Sequence, residues 1–190
     1  MNQEEPVLLE GDSSALCLSC GMCCDGTLFL HAPVTTVDPP EVLSLLASRS
    51  VRFGPSDEGA CFALPCPCLE NKRCGVYPHP PTICGNYKCQ LLRQLEAGAV
   101  SLDGARDQVS RAATLLAAVR AEAARVEPTF SNLLPIALAS RIETLASEAE
   151  RAAPGGAADV RRRYATLLFL LMALHRHLET HFEHRVETPA

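Results

Sequence analysis

Four cysteines fall within eight residues, Cys17-Leu18-Ser19-Cys20-Gly21-Met22-Cys23-Cys24, and six more follow at Cys61, Cys66, Cys68, Cys74, Cys84 and Cys89. Thiolates packed this densely point to metal chemistry. A Cys-x-x-Cys spacing lets two thiolates turn toward one ion while backbone N–H groups face the sulfurs, and here it runs twice, from Cys17 to Cys20 and on to Cys23. Zinc takes four such ligands tetrahedrally at about 2.3 Å; iron–sulfur clusters use the same ligand type. Gly21 offers a tight turn with positive φ between the pairs. Adjacent cysteines leave the backbone in different directions, so Cys23-Cys24 indicates either two centres close together or one spare thiol. Disulfides are the competing fate, but neighbouring cysteines have poor bridging geometry, and in a reducing compartment clustered cysteines bind metal more often than they pair.

The second block supplies complementary ligands. Cys66-x7-Cys74 and Cys84-x4-Cys89 lie in a block, residues 61–89, that carries Pro65, Pro67, Pro78, Pro80 and Pro81. Proline removes a donor and restricts the preceding residue, so continuous helix is not expected there. Bound metal would give this stretch folding energy it otherwise lacks. Met22, Leu69, Val76, Tyr77 and Ile83 are the apolar residues at hand to shield the sulfurs. A purely structural zinc site is the plain alternative to a reactive centre. His79 is either a nitrogen ligand or a loop surface residue, and Asp25 either a second acceptor beside the metal or a turn residue. Cys61 and Cys68 are extra thiols, either additional ligands or small buried hydrophobes.

Cys17-x-x-Cys20-Gly21-x-Cys23-Cys24, Cys66-Pro67-x-Leu69, Cys74-Gly75-Val76-Tyr77 and Pro81-x-x-Cys84-x-x-Tyr87-x-Cys89 together resemble the YkgJ-type cysteine-cluster family, whose CxxCxxCC domain is described as zinc- or iron-chelating. The resemblance covers residues 17–89. It implies metal at Cys17, Cys20, Cys23, Cys24, Cys66, Cys74, Cys84 and Cys89. A similar cluster in flagellin lysine-N-methylases is associated with iron–sulfur chemistry, so the resemblance implies a catalytic reading beside the chelating one. The chain departs from the family pattern at three places. Pro80-Pro81 stands for Arg-Pro, Gly85 for an Arg, and Cys68 for an aromatic residue. The ligands are kept while two cations beside them are lost.

Elsewhere the signals are weaker. His177, His181 and His184 fall within about a 60° arc of the last helix, away from its Leu/Phe face; they are either a metal stripe or a solvated helix end, where positive charge is favoured. No phosphate loop, nucleophile elbow or dinucleotide fingerprint is present. The net charge of −5, with Arg161-Arg162-Arg163 as the only basic run, argues against nucleic-acid binding. The first six residues show no basic region followed by an apolar stretch, so no secretory signal is expected. Ala165–Leu174 is too short to cross a bilayer, and a cytoplasmic protein without membrane attachment is expected.

These residues need a scaffold, and hydrophobic content of 47% with aromatics at only 5% gives it a core of Leu, Ala and Val. Residues 1–14 read as a loose lead-in and Thr27–Leu30 as a short strand. Asp38-Pro39-Pro40 starts a helix that runs to about Arg49. Residues 54–59 form a turn-rich connector, and a helix from Asn86 stops at Gly98. From Ser101 the pattern is helical. One helix carries Val109, Ala112, Leu116, Val119 and Ala123 up to Pro128. A second carries Leu134, Leu138, Ile142 and Leu145. After a break at 153–156, a third runs from about Asp159 to Val186, with Tyr164, Leu167, Leu168, Leu171, Leu174, Leu178 and Phe182 inside.

The chain therefore reads as mainly α, with a loop-rich Cys module over residues 15–98 packed on an antiparallel helical bundle over 101–187. Three functions follow. The first is chelation of zinc or iron through the cysteine cluster, with the helices free to recruit a protein or peptide partner. The second is an iron or iron–sulfur enzyme modifying a peptide or protein, in a methyl-transfer type of reaction. The third is metal storage or delivery.

Overall fold

The computed structural model describes residues 11–35, 37–56, 59–77 and 79–182. His184 of the histidine stripe and the helix end after Phe182 lie outside them. The protein is mainly helical, 61% helix against 10% strand. It divides into two compact units, 1–106 and 107–190.

In the first unit, α1 (Asp12–Cys20) precedes β1 (His31–Val34), α2 (Pro40–Ser48), the hairpin β2 (Phe53–Ser56) and β3 (Gly59–Ala63), the short pair β4 (Leu69–Glu70) and β5 (Arg73–Cys74), α3 (Thr82–Asn86) and α4 (Gln90–Glu96). The first sheet is antiparallel in the order β1–β3–β2, with His31 opposite Ala63 and Phe53 opposite Phe62. Its inward residues Val34 and Phe62 pack with Leu46, Val51, Leu64, Cys68 and Val76 into one small core.

Several local expectations are corrected. The strand expected at Thr27–Leu30 begins at His31 instead. Gly26 takes φ +81, and the Asp25 carboxylate accepts the Thr27 N–H at 2.9 Å, so the chain is still turning there. The Leu30 carbonyl is the first group to reach the sheet, accepting from Leu64 N–H. Residues 12–14, expected to be loose, open α1. Asp38 does not cap α2, whose N-cap is Pro39. Its carboxylate instead accepts from Thr35 N–H at 2.7 Å and from Thr82 N–H at 2.6 Å, tying the lead into α2 to the start of α3. The helix expected from Asn86 is two pieces. α3 ends at Asn86, Tyr87 is extended, and α4 restarts behind Cys89.

α5 (Leu102–Val126) contains the boundary between the units. The second unit continues with a 3₁₀ turn (Pro128–Asn132), α6 (Pro135–Ala152), α7 (Gly156–Arg163) and α8 (Ala165–His181). Pro135 is tolerated in the first turn of α6, where its missing N–H costs little. α6 and α7 form an antiparallel hairpin in which Arg161 reaches Glu143 at 2.9 Å. α5 and α8 also run antiparallel. The His177 Nε2–H donates to the Gln108 carbonyl at 3.0 Å, and Tyr164 stacks on Phe130 just past the other end of α5. Ala112, Leu116, Val119, Leu138, Ile142, Leu167, Leu171 and Leu174 fill the interior, as their helical spacing predicts. The expected single last helix is broken at Tyr164, whose φ −100 and ψ 15 separate α7 from α8. Among the described residues no helix is long and apolar enough to cross a membrane.

Burial, then the neighbouring His177 ring and Arg111 guanidinium, holds the His181 imidazole below its ordinary value. The unfolded chain therefore takes up this proton at a higher pH than the folded one, and stability is lost as pH falls through about 6.5. The urea midpoint of the second unit should drop between pH 7 and pH 5, with a shallower drop in His181→Asn. Equal slopes in the two proteins would refute this origin.

Candidate metal centre

Cys17 and Cys20 sit one turn apart on the same side of α1, which ends at Gly21. Gly21 has φ +69, and its N–H closes on the Cys17 carbonyl. The Cys24 and Asp25 N–H groups both bond back to the Gly21 carbonyl, so Cys23 and Cys24 fall in a tight turn just beyond the helix. A Cβ at Gly21 would lie 3.1 Å from the Lys72 carbonyl oxygen, which forms part of the β4–β5 turn. That turn has Asn71 and Lys72 at φ +49 and +67, matching the twist of a two-residue hairpin. Gly21→Ala should therefore cost about 1–2 kcal/mol for the left-handed backbone alone, and more from crowding Lys72. Denaturant unfolding of the metal-loaded protein measures it; wild-type stability would contradict the close approach.

The second block folds onto this turn. Cys66 N–H donates to the Cys24 carbonyl at 2.8 Å, and Gly75 N–H donates to the Cys68 carbonyl at 2.7 Å. Leu69 pairs with Cys74 across β4–β5. Cys84 lies on α3, held by the Asp38 bond to Thr82. Cys89 is the N-cap of α4, where its sulfur accepts the Leu92 N–H at 3.4 Å, and α4 packs on α1.

All ten cysteines are free thiols. The electrostatics show which sulfurs are neighbours. Burial first, and then other thiolates, push Cys20, Cys24 and Cys84 up to about 12 and Cys23 well above the ordinary thiol range. Cys17, Cys66 and Cys89 are raised as well, again chiefly by burial. Cys17 and Cys84 leave much of their residue surface at the rim, but their sulfurs are crowded from the inner side. Backbone hydrogen bonds oppose the shift at Cys20, from Met22, and at Cys89, from Leu91 and Leu92. Arg93 does the same for Cys89 and Arg49 for Cys68. Crowded thiols with this little cationic support are a donor set that a soft cation would complete. Among the described residues, no three Cys, His, Asp or Glu side chains already stand at ion-holding geometry.

The eight expected ligands share one neighbourhood; Cys68 and Asp25 border it, and Cys61, His79 and the histidines of α8 are engaged elsewhere or exposed. Cys61 lies on β3 opposite Pro33 and Gly54, its thiol directed to the Pro55 carbonyl at 3.7 Å. Cys68 is fully buried in the core beside Cys66, and burial raises its thiol to about 11. His79 is exposed. His177 departs from the expected solvated face, being only 9% exposed with Nε2 engaged by Gln108, while its ring lies 4.7 Å from His181.

A cavity of about 240 Å³ is lined by six of these cysteines, Cys17, Cys23, Cys24, Cys66, Cys74 and Cys84. Of the apolar shield named from the sequence, Val76 and Ile83 line it, while Met22 is buried in the first turn. The remaining walls, among them Phe29, His31, Phe62, Leu64 and Tyr87, come from the missed sheet, the residues flanking it and the segment after α3. Phe29 and Tyr87 meet edge to face with centroids 5.1 Å apart. Tyr87 was within reach of sequence reasoning through its place two residues before Cys89. Phe62 and Leu64 needed the sheet.

Comparison with family models, curated proteins and solved structures finds no match for this chain.

Proposed function

We propose that the protein binds zinc or iron through the thiolates of Cys17, Cys20, Cys23, Cys24, Cys66, Cys74, Cys84 and Cys89. One observation carries this reading: thiols from two segments more than forty residues apart are mutual neighbours, and no disulfide joins them. The likeness of residues 17–89 to the YkgJ-type cysteine-cluster family supports the same ligand set, and a reducing cytoplasm suits it. Bound metal would replace thiol protons and offset the charge that the crowded sulfurs cannot share. Elemental analysis of protein isolated without oxygen should find tightly held zinc or iron that is lost when the cysteines are alkylated. Protein free of bound metal under those conditions defeats the proposal.

The cavity favours a second reading, an iron–sulfur enzyme acting on a peptide or protein, for instance by methyl transfer. Catalysis needs open space beside the metal, and here six of the cysteines line a cavity with apolar walls. Brown protein with broad visible absorption selects this reading, and colourless zinc protein eliminates it. A storage or delivery protein would instead give up its metal readily to a competing chelator while staying folded.

A further inference from the structure

We propose that the eight thiols form two four-sulfur centres, Cys17–Cys20–Cys23–Cys89 and Cys24–Cys66–Cys74–Cys84, joined by the Cys23–Cys24 peptide. This rests on the metal-binding reading above and adds the ligand pairing and a difference between the two centres.

The backbone sorts the ligands first. Cys17 and Cys20 lie on α1, Cys23 follows in the turn at its end, and Cys89 opens α4, which packs on α1. Cys24 is tied to the second block. Its carbonyl receives the Cys66 N–H; Cys66 leads into β4, whose partner strand carries Cys74; and the Asp38 bond to Thr82 brings in α3 with Cys84.

The packing follows the same division. Within the second block Gly75 N–H donates to the Cys68 carbonyl and Leu69 pairs with Cys74, while α1 packs on α4. Cys17 stands at the seam, because α1 also meets β5, the strand of Cys74. Two consecutive cysteines cannot easily serve one small ion, and assigning one to each centre removes that difficulty.

The centres differ in access. All four cysteines of the second set line the cavity, whereas only Cys17 and Cys23 of the first do, and Cys20 and Cys89 lie off it. Enclosed thiolate sites are structural, while sites with an open side exchange metal or react. The first centre therefore holds α1 to α4, and the second faces the cavity as the exchangeable or reactive one.

Metal-free, reduced full-length protein reconstituted with zinc provides the test. Wild type should retain about two equivalents, Cys20→Ser and Cys84→Ser about one each, and the double variant almost none. A chelator should remove one wild-type equivalent faster than the other, and Cys84→Ser should lack that fast phase. Where a variant does not fold, wild type loaded with cadmium-113 replaces it: two resonances of equal area are expected. A single equivalent in wild type that either substitution abolishes, or a single cadmium resonance, overturns the division and leaves the metal-binding reading intact. No retained metal in wild type overturns both.

Discussion

Stripping metal from the reduced protein is expected to unfold residues 11–106 while α6, α7 and α8 keep their structure. The first unit is lightly built otherwise. Its strands are two to five residues long, the cluster around Phe62 holds seven buried residues among those described, and the block of residues 61–89 carries five prolines. A structural zinc site contributes about 10–16 kcal/mol in small metal-dependent folds, whereas a whole domain is stable by only about 5–15 kcal/mol. Loss of the metal should therefore exceed what the small core can sustain. The second unit has its own interior, with Ile142, Ala146 and Leu167 at 0% exposure. Hydrogen exchange with and without chelator should show β1–β3 amides losing protection while those around Ile142 and Leu167 keep theirs. Unchanged protection in β1–β3 would mean that the cysteines are not what folds this half.

Phe62→Ala is expected to have the largest effect of any single side chain in the first unit, about 3–5 kcal/mol with metal bound. Phe62 is 2% exposed on the central strand, pairs across the sheet with Phe53, and forms part of the wall of the sulfur cavity. Truncation leaves a void in the core and opens the cavity to water at once. Denaturant unfolding should show the loss, and release of zinc to a chelator should quicken in parallel. Wild-type release with normal stability would place Phe62 outside both roles.

Helical periodicity made the second unit legible. Tyr164, Leu167, Leu171, Leu174, Leu178 and Phe182 recur about every turn, and all are buried. The glycines also announced their positions: Gly98 at φ +70 ends α4, and Gly155 at φ +87 starts α7. The break at Tyr164 left no such mark. It coincides with the ring's packing on Phe130, a tertiary contact, and beneath the neighbouring Arg163. His177 was misplaced for a related reason. A wheel drawn for α8 alone does not show that the Gln108 carbonyl of α5 draws that imidazole inside.

The sheet was illegible because its strands contain Pro33, Gly54, Pro55 and Gly59, residues that read as turn. They are tolerated in strands this short, proline chiefly at edges, and Pro33 and Pro55 do lie on the two edge strands. The convergence of the cysteine segments could be expected from residue type and spacing. Their division could not, because it depends on the Cys66–Cys24 backbone bond and on Asp38 reaching Thr82.

One of these sulfurs also does the work of a helix cap. Cys89 takes the place usually held by Ser, Thr or Asp, and the amide proton of Leu92 points straight at it. Ionising that sulfur, and then sharing its charge with a metal, must alter the pull on this one proton. Leu92 is thus a built-in gauge, and its nitrogen-15 cross-peak should move with each increment of added metal, reporting occupancy from inside the fold.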